Sequence, residues 1–526
     1  MATRRAALPS GSSAPLVQGS TTGTVALLLV VAAAVRLWTV GDKNIWLDEA
    51  ASWDVASLQL PDLLRRVAGD VHPPLYYLLL KGWMTLAGDS PIALRSLSVA
   101  FGVIAVGLAY RLAVRWLSRS AAIVTLAWLA VSPHLIFYSQ EARMYAPATA
   151  FALAACLAYR RWVESGFARP GRLAAFAVAM TGALYLHYFT ALVLVALWTH
   201  LAVARRPAVG ERLPRSSTRG VVRDPTRAPN FWRDWLVTNA AVLAACLPWI
   251  PTAAAQIVRG QSWRADVSPA DLPFYAGWLG KSLLAGYHEG WTPLLAVALA
   301  VLAAVVAAGW VPLIARQLGP QGGGESRDEG DVWLVLLAVV PVVGSLAAMP
   351  VTGGLDLGRY LAFLTPLVMI GAARGLSMLR AGGRGASAII ALGVGASIPW
   401  SYAWSQDPTK DADVQPVVRA LAVAAGHDPS RTGTVLVEPG SMILCLLYYT
   451  QDFPVRLKRV PADVSPWRAL QTAARRPADG PVWLVVAREA VAFDRDGGPA
   501  PPRLKEIALE PSRPDRVRLL RLVSYP

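Results

Sequence analysis

The chain has 526 residues, 55% hydrophobic and only 16% charged, with a mean hydropathy of +0.41. Soluble domains carry about a quarter charged residues, so this composition excludes an ordinary soluble globular protein and points to a polytopic membrane protein. The net charge of +16 would suit a nucleic-acid partner, but the arginines fall in short clusters between apolar runs, as orienting charges do, which argues against nucleic acid.

Residues 1–21 form a polar, basic tail. "AAAV" inside the following apolar run resembles a signal cleavage site, yet the long polar lead and the run continuing to Trp38 favour an uncleaved anchor. A membrane span needs about 20 mostly apolar residues. Spans are predicted at 22–40, 92–110, 120–138, 144–162, 172–187, 189–204, 235–254, 291–314, 332–350, 358–379 and 386–404, about eleven in all. The segment "HPPLYYLLLKGWMTLAG" (72–88) is short, opens on two prolines and carries Lys81 in its middle. Leaving it out as a span places Arg4/Arg5, Arg111/Arg115/Arg119, Arg160/Arg161/Arg169/Arg172, eight arginines across 205–233, Arg316/Arg327 and Arg374/Arg380/Arg384 on one side. Only a scattering of cations falls on the other side. By the positive-inside rule the arginine-rich side is cytoplasmic, and 72–88 reads as an amphipathic helix on the outer face. The stretches 205–233 and 321–331 read as flexible linkers.

Beyond residue 404 the pattern changes to short β-type runs at 434–439, 454–460, 482–489 and 516–523, separated by helical stretches such as 440–450 and 465–476. The expected architecture is a cytoplasmic tail (1–21), a transmembrane domain (22–404) with a first outer loop and juxtamembrane helices at 41–91, and an extracytoplasmic α/β domain (405–526). Cys156, Cys246 and Cys445 offer neither a disulfide framework nor metal-ligand spacing.

With that topology the chemistry-bearing residues gather on the outer side. Asp48 and Glu49 sit side by side in "NIWLDEAASWD" (44–54), and Glu141 lies in the short loop "SQEARMY". The plain reading is solvated acids at a helix end and a Glu141–Arg143 ion pair. The functional reading is a carboxylate base placed to deprotonate a hydroxyl. Arg143 and Arg359 each open a helix at the outer side, where an arginine can simply snorkel. Two together, with His72, His187, Tyr145 and Tyr360 near in topology, would also cradle a phosphate by fork-like bonding. A divalent cation, Mg or Mn, on Asp48 or Glu49 is the alternative for that phosphate. No Walker loop, Rossmann glycine pattern or nucleophile elbow occurs.

"WLDEA", "HPPLYYLLLKGW", "GDSPIALRSLSVAFG", "YSQEARMYAPATAFAL", "LHYFTALVL" and "GRYLAFLTPL", in this order across roughly residues 22–380, resemble bacterial members of glycosyltransferase family 39. These are membrane enzymes of the GT-C fold, related to protein O-mannosyltransferases and aminoarabinose lipid A transferases. The resemblance implies inverting transfer of one sugar from a polyprenyl-phosphate carrier to a hydroxyl acceptor, on lipid, glycan or protein, outside the plasma membrane. It implies Asp48 as base with Glu49 as support or a metal ligand, Glu141 as a second catalytic-site acid that helps position the acceptor or the donor, and Arg143, Arg359 and Tyr360 at the donor phosphate. His72, His187 and Tyr145 would line the site. The C-terminal domain carries no family signature. Two rivals are a lipid-linked sugar flippase, which would want polar residues at mid-membrane, and an inactive relative serving as a binding protein.

Overall fold

The computed structural model describes residues 16–165, 171–204, 230–259, 266–287, 291–318, 329–379, 382–406, 414–425, 433–438, 442–451, 455–460, 469, 481–487, 503–507 and 517–524. Most of the basic loop at 205–233, most of the linker at 321–331 and the helix expected at 465–476 fall outside these residues.

Every predicted span is helical. Among the described residues, Pro91–Ala113, Pro293–Leu318, Gly330–Thr352 and Arg384–Gln406 are each long and apolar enough to cross a membrane, and two bent helix pairs bring the number to six. Others, such as Gly171–Leu186 and Leu364–Leu376, are shorter. Leu27, Val178, Leu243, Val297 and Val343 lie exposed along these helices, as side chains facing hydrocarbon would.

Three expected spans are broken, and proline accounts for two. The run 120–138 divides into Arg119–Ala130 and Pro133–Ser139 with a 51° bend. Pro133 has no N–H to give and pushes Ser132 out of helical geometry. The fully buried Arg36 closes the exposed end of the first piece, donating to the Ala130 carbonyl (2.8 Å), to the Leu129 carbonyl (3.4 Å) and to Ser139 Oγ (3.2 Å). A guanidinium is favoured there because a helix C-terminus carries partial negative charge. Phe231–Cys246 and Ile250–Arg259 meet at 69° around Pro248 and Pro251. The third break separates Leu357–Tyr360 from Leu364–Leu376, which leaves Arg359 on a single tight turn.

Close helix packing relies on small residues. A Cβ on Gly375 would collide with the Gly309 backbone, so Pro293–Leu318 and Leu364–Leu376 approach main chain to main chain.

The stretch 41–91, expected as the first outer loop, folds into Leu47–Ser57, Leu60–Ala68 and Leu75–Ala87. The last helix has 13 residues, too few for a span, and buries Tyr76, Tyr77 and Leu80. Pro73 and Pro74 precede it rather than sit in its first turn. Lys81 Nζ donates to the carbonyls of Leu58 (2.7 Å) and Ala56 (3.3 Å), closing the C-terminal end of Leu47–Ser57.

The C-terminal region forms a five-stranded sheet from β1 (Thr434–Glu438), β2 (Arg456–Arg459), β3 (Val482–Ala487), β4 (Arg503–Ile507) and β5 (Val517–Ser524), in the order β2-β1-β3-β5-β4. β1 is parallel to β2 and β3, and β5 is antiparallel to β3 and β4. The helix Met442–Tyr449 between β1 and β2 reaches the first outer loop. The Ile45 N–H donates to Tyr449 Oη (2.6 Å), Tyr448 Oη donates to the Asp89 carbonyl (2.8 Å), and Trp53 meets Tyr448 edge to face at 5.4 Å.

Candidate functional site

Asp48 and Glu49 occupy the first turn of Leu47–Ser57, where acidic side chains complement the helix N-terminus. Successive positions on a helix point about 100° apart, so the two carboxylates part company at once. Glu49 turns inward to zero exposure and binds Arg95, also at zero exposure, through Nε (2.8 Å) and the adjacent NH2 nitrogen (2.6 Å). Arg95 spends its remaining donors on the carbonyls of Val40 (2.7 Å), Lys43 (2.9 Å) and Asn44 (2.8 Å). All five guanidinium N–H groups are then in use, and they pin the chain leading into the helix. The same Glu49 carboxylate accepts the Ala142 N–H (2.9 Å), which ties the first outer loop to the loop carrying Glu141 and Arg143. Glu49 is therefore an anchor between two loops, its carboxylate taken up by Arg95 and the Ala142 N–H.

Asp48 points the other way. Its side chain is 26% exposed, and its Oδ2 lies 3.1 Å from Arg359 and 3.9 Å from Arg143 Nε. Arg143 is nearly buried and is fixed by donating to the Asp48 carbonyl and to Ser52 Oγ, both at 3.2 Å. Burial opposes its charge, but Asp48 first, then Tyr77, Tyr145 and Asp70, hold its proton well above the ordinary guanidinium value. Arg143 thus pairs with Asp48, whereas the plain reading had paired it with Glu141. Glu141 is 2% exposed, within electrostatic reach of Arg95 and Tyr138.

Arg359 is held from behind. Its Nε donates to Asp356 Oδ2 (2.9 Å), which also accepts from Tyr287 Oη (2.7 Å). Trp46 faces the Arg359 guanidinium at 5.9 Å.

Rings form the remaining wall. Tyr360 lies 5.2 Å from His187, which is 5.9 Å from Tyr145 and 6.2 Å from His72. Tyr145 stands edge to face with Tyr138 at 5.0 Å. His187 Nδ1 accepts the Phe189 N–H, which fixes its tautomer with the proton on Nε2. His72 contacts Asp70 at 3.4 Å, and burial, the largest influence, lowers its proton affinity, so it is neutral at pH 7. The sequence-expected residues Asp48, Arg143, Arg359, Tyr360, His72, His187 and Tyr145 are thus one contiguous group.

Metal binding has a poor donor set here. Asp48 faces two guanidiniums, Glu49 is consumed by Arg95, and among the described residues no group of three or more His, Cys, Asp or Glu side chains is placed to hold an ion. To a phosphate or a hydroxyl-bearing substrate the cluster offers two guanidiniums beside a partly exposed carboxylate, with rings around them.

Residues 71–217 match the family profile described as dolichyl-phosphate-mannose-protein mannosyltransferase. Among solved structures, ArnT from Cupriavidus metallidurans bound to undecaprenyl phosphate superposes with a TM-score of 0.56 at 14% identity, covering 96% of this chain and 98% of that one. The apo form of the same protein gives 0.53 at 13% identity, with 97% and 98% covered. The archaeal oligosaccharyltransferase AglB from Archaeoglobus fulgidus, in complex with an inhibitory peptide and a dolichol-phosphate, gives 0.56 at 12% identity, with 90% of this chain and 70% of that one covered. The chain has the GT-C fold. No curated protein matches it in sequence. A GT-C chain is a multi-pass membrane protein, in keeping with the apolar helices described above.

Sequence reading missed several participants in this cluster. Asp356, Tyr287, Ser52 and Tyr138 had not been singled out, although Asp356 stands three residues before Arg359, the spacing that places two side chains on one helical face. The fivefold bonding of Arg95 was likewise not foreseen.

Proposed function

We propose that this protein is an inverting glycosyltransferase that moves a monosaccharide from a polyprenyl-phosphate carrier to a hydroxyl acceptor on the outer face of the plasma membrane. One observation carries the reading: a partly exposed carboxylate, Asp48, shares its mouth with two arginines from separate loops, within a GT-C fold. ArnT, which has this fold, has been crystallised with undecaprenyl phosphate. The match to the mannosyltransferase profile supports the same class of donor.

In the reaction, the acceptor hydroxyl oxygen attacks the anomeric carbon from the face opposite the phosphate. The bond from that carbon to the phosphate oxygen breaks, its electron pair leaves on the lipid phosphate, and the hydroxyl proton passes to Asp48. One displacement inverts the anomeric centre and needs no covalent intermediate. Arg143 and Arg359 meet the charge that grows on the phosphate, the kind of preorganised stabilisation that is worth most in a water-poor site. Tyr360, Tyr145, His187 and His72 give the sugar a ring-lined wall. Glu141 takes a supporting part through its field at Arg95. The positive-inside pattern supports eleven spans with the N-terminus in the cytoplasm and the C-terminal sheet outside. The sheet's helix at Met442–Tyr449 then braces the loop that carries Asp48.

The test uses purified protein in lipid nanodiscs with a panel of radiolabelled polyprenyl-phosphate sugars and hydroxyl acceptors. Transfer from at least one donor, with the product anomer of opposite configuration, is expected. Absence of transfer from every donor, or retention of configuration, would overturn the reading.

A further inference from the structure

The geometry points to competition between Asp48 and the carrier phosphate for the same two arginines, so that the base is masked until the donor arrives; this rests on the donor reading above. Four charged groups carry the inference. Asp48 and Asp356 bring two negative charges against the two positive ones of Arg143 and Arg359, and Asp70 adds a third carboxylate within reach of Arg143, so both cations are already matched before any ligand enters. A phosphate that binds there must take arginine contacts away from a carboxylate.

The bonds are not equally replaceable. Asp356 and Arg359 are three residues apart on one turn, and Tyr287, in the turn after the helix Leu272–Ala285, fixes the same aspartate oxygen. That contact moves with Arg359. Asp48 instead touches Arg359 end on, through one nitrogen, from an unrelated segment of chain 311 positions away. Its distance to Arg143 Nε, 3.9 Å, is too long for a hydrogen bond, and that buried Nε has no hydrogen-bond partner. Arg143 is anchored by its other end, on the Asp48 carbonyl and Ser52, with Tyr77 beside it. The pair thus has one donor standing ready and one bond that a better acceptor can displace. Phosphate is such an acceptor, since it presents more oxygens to a guanidinium fork than a single carboxylate oxygen does.

One consequence follows for the reaction. In the free protein the Asp48 carboxylate is engaged by Arg359 and faces Arg143. Once phosphate draws both guanidiniums to itself, the carboxylate is released beside the bound sugar. Masking therefore couples the freeing of Asp48 to donor occupancy and favours donor binding before proton removal from the acceptor.

The experiment measures the affinity of farnesyl phosphate, a short isoprenyl phosphate, for wild-type protein, Asp48→Asn, Asp48→Ala and Arg359→Gln in nanodiscs, with farnesol as the uncharged control. Both Asp48 substitutions should bind farnesyl phosphate more tightly than wild type, by about tenfold for the removal of one competing charge. Arg359→Gln should bind it at least tenfold more weakly, and farnesol affinity should stay the same in all four. Weaker binding in Arg359→Gln together with unchanged or weaker binding in both Asp48 variants would overturn the competition and leave the donor reading standing. Unchanged binding in Arg359→Gln would remove the phosphate from this cluster and overturn both.

Discussion

Asp48 and Glu49 follow one another in the chain, and each meets arginine, yet the two meetings differ in kind. Glu49 and Arg95 are both wholly buried, bonded through two parallel contacts, and every guanidinium donor is spent. Asp48 is a quarter exposed and holds Arg359 by one bond and Arg143 at a longer distance. A buried pair with no unused donor has nothing to offer a ligand, and its worth lies in fixing two loops. An open pair with spare donors costs the protein little to rearrange, and that is where substrate chemistry belongs.

The strongest way to break this comparison is to cut the closed pair. Arg95→Met leaves Glu49 charged and buried without a partner, which should cost about 3–5 kcal/mol and lower the unfolding temperature in detergent sharply. The double variant Glu49→Gln/Arg95→Met removes both charges and should recover part of that loss. If Asp48→Asn destabilised the protein as much as Arg95→Met, the two pairs would be equivalent and the distinction would fail.

Arg359→Gln comes next. It should reduce turnover by about 10²–10³-fold, the range for losing one preorganised charge donor, while the unfolding temperature moves little. Tyr287→Phe probes the same arm less severely. Losing its hydrogen bond to Asp356 should cost about 1 kcal/mol, read as a several-fold rise in donor KM with the fold intact.

The smallest effect is expected at the far side of the loop. Tyr449→Phe removes the acceptor for the Ile45 N–H and should lower activity by less than about tenfold. An effect as large as that of Arg359→Gln would mean that the C-terminal helix enters the site itself.

Hydropathy made the helices legible, because every run of about 20 apolar residues had to be helical in a membrane. It left the breaks unreadable as angles. Pro133, Pro248 and Pro251 announced trouble in two spans, but the 51° and 69° bends depend on what covers the freed backbone groups, and Arg36 comes from another helix to do so at the first. Four of the five β runs were legible, β2 ("RLKR") among them because Val455 and Val460 flank its charges; β4, "RLKEI", was not predicted. At the site, residue types and topology put Asp48, Arg143 and Arg359 in one group, and the structure brings their side chains together. Which of the two neighbouring acids faced the mouth was hidden, since it turns on Arg95, 46 residues away, and on how the loop at 40–46 winds around it.

The most direct test sets the two neighbours against each other in one assay. Transfer from a polyprenyl-phosphate sugar is measured for wild type, Asp48→Asn and Glu49→Gln at equal amounts of folded protein. Asp48→Asn should lose about 10²–10⁴-fold in kcat, the range for a general base, with its unfolding temperature close to wild type. Glu49→Gln should keep most of its kcat per folded molecule and lose stability instead. Equal turnover in Asp48→Asn and wild type, or loss of kcat confined to a fully stable Glu49→Gln, would contradict the assignment of Asp48 as the base.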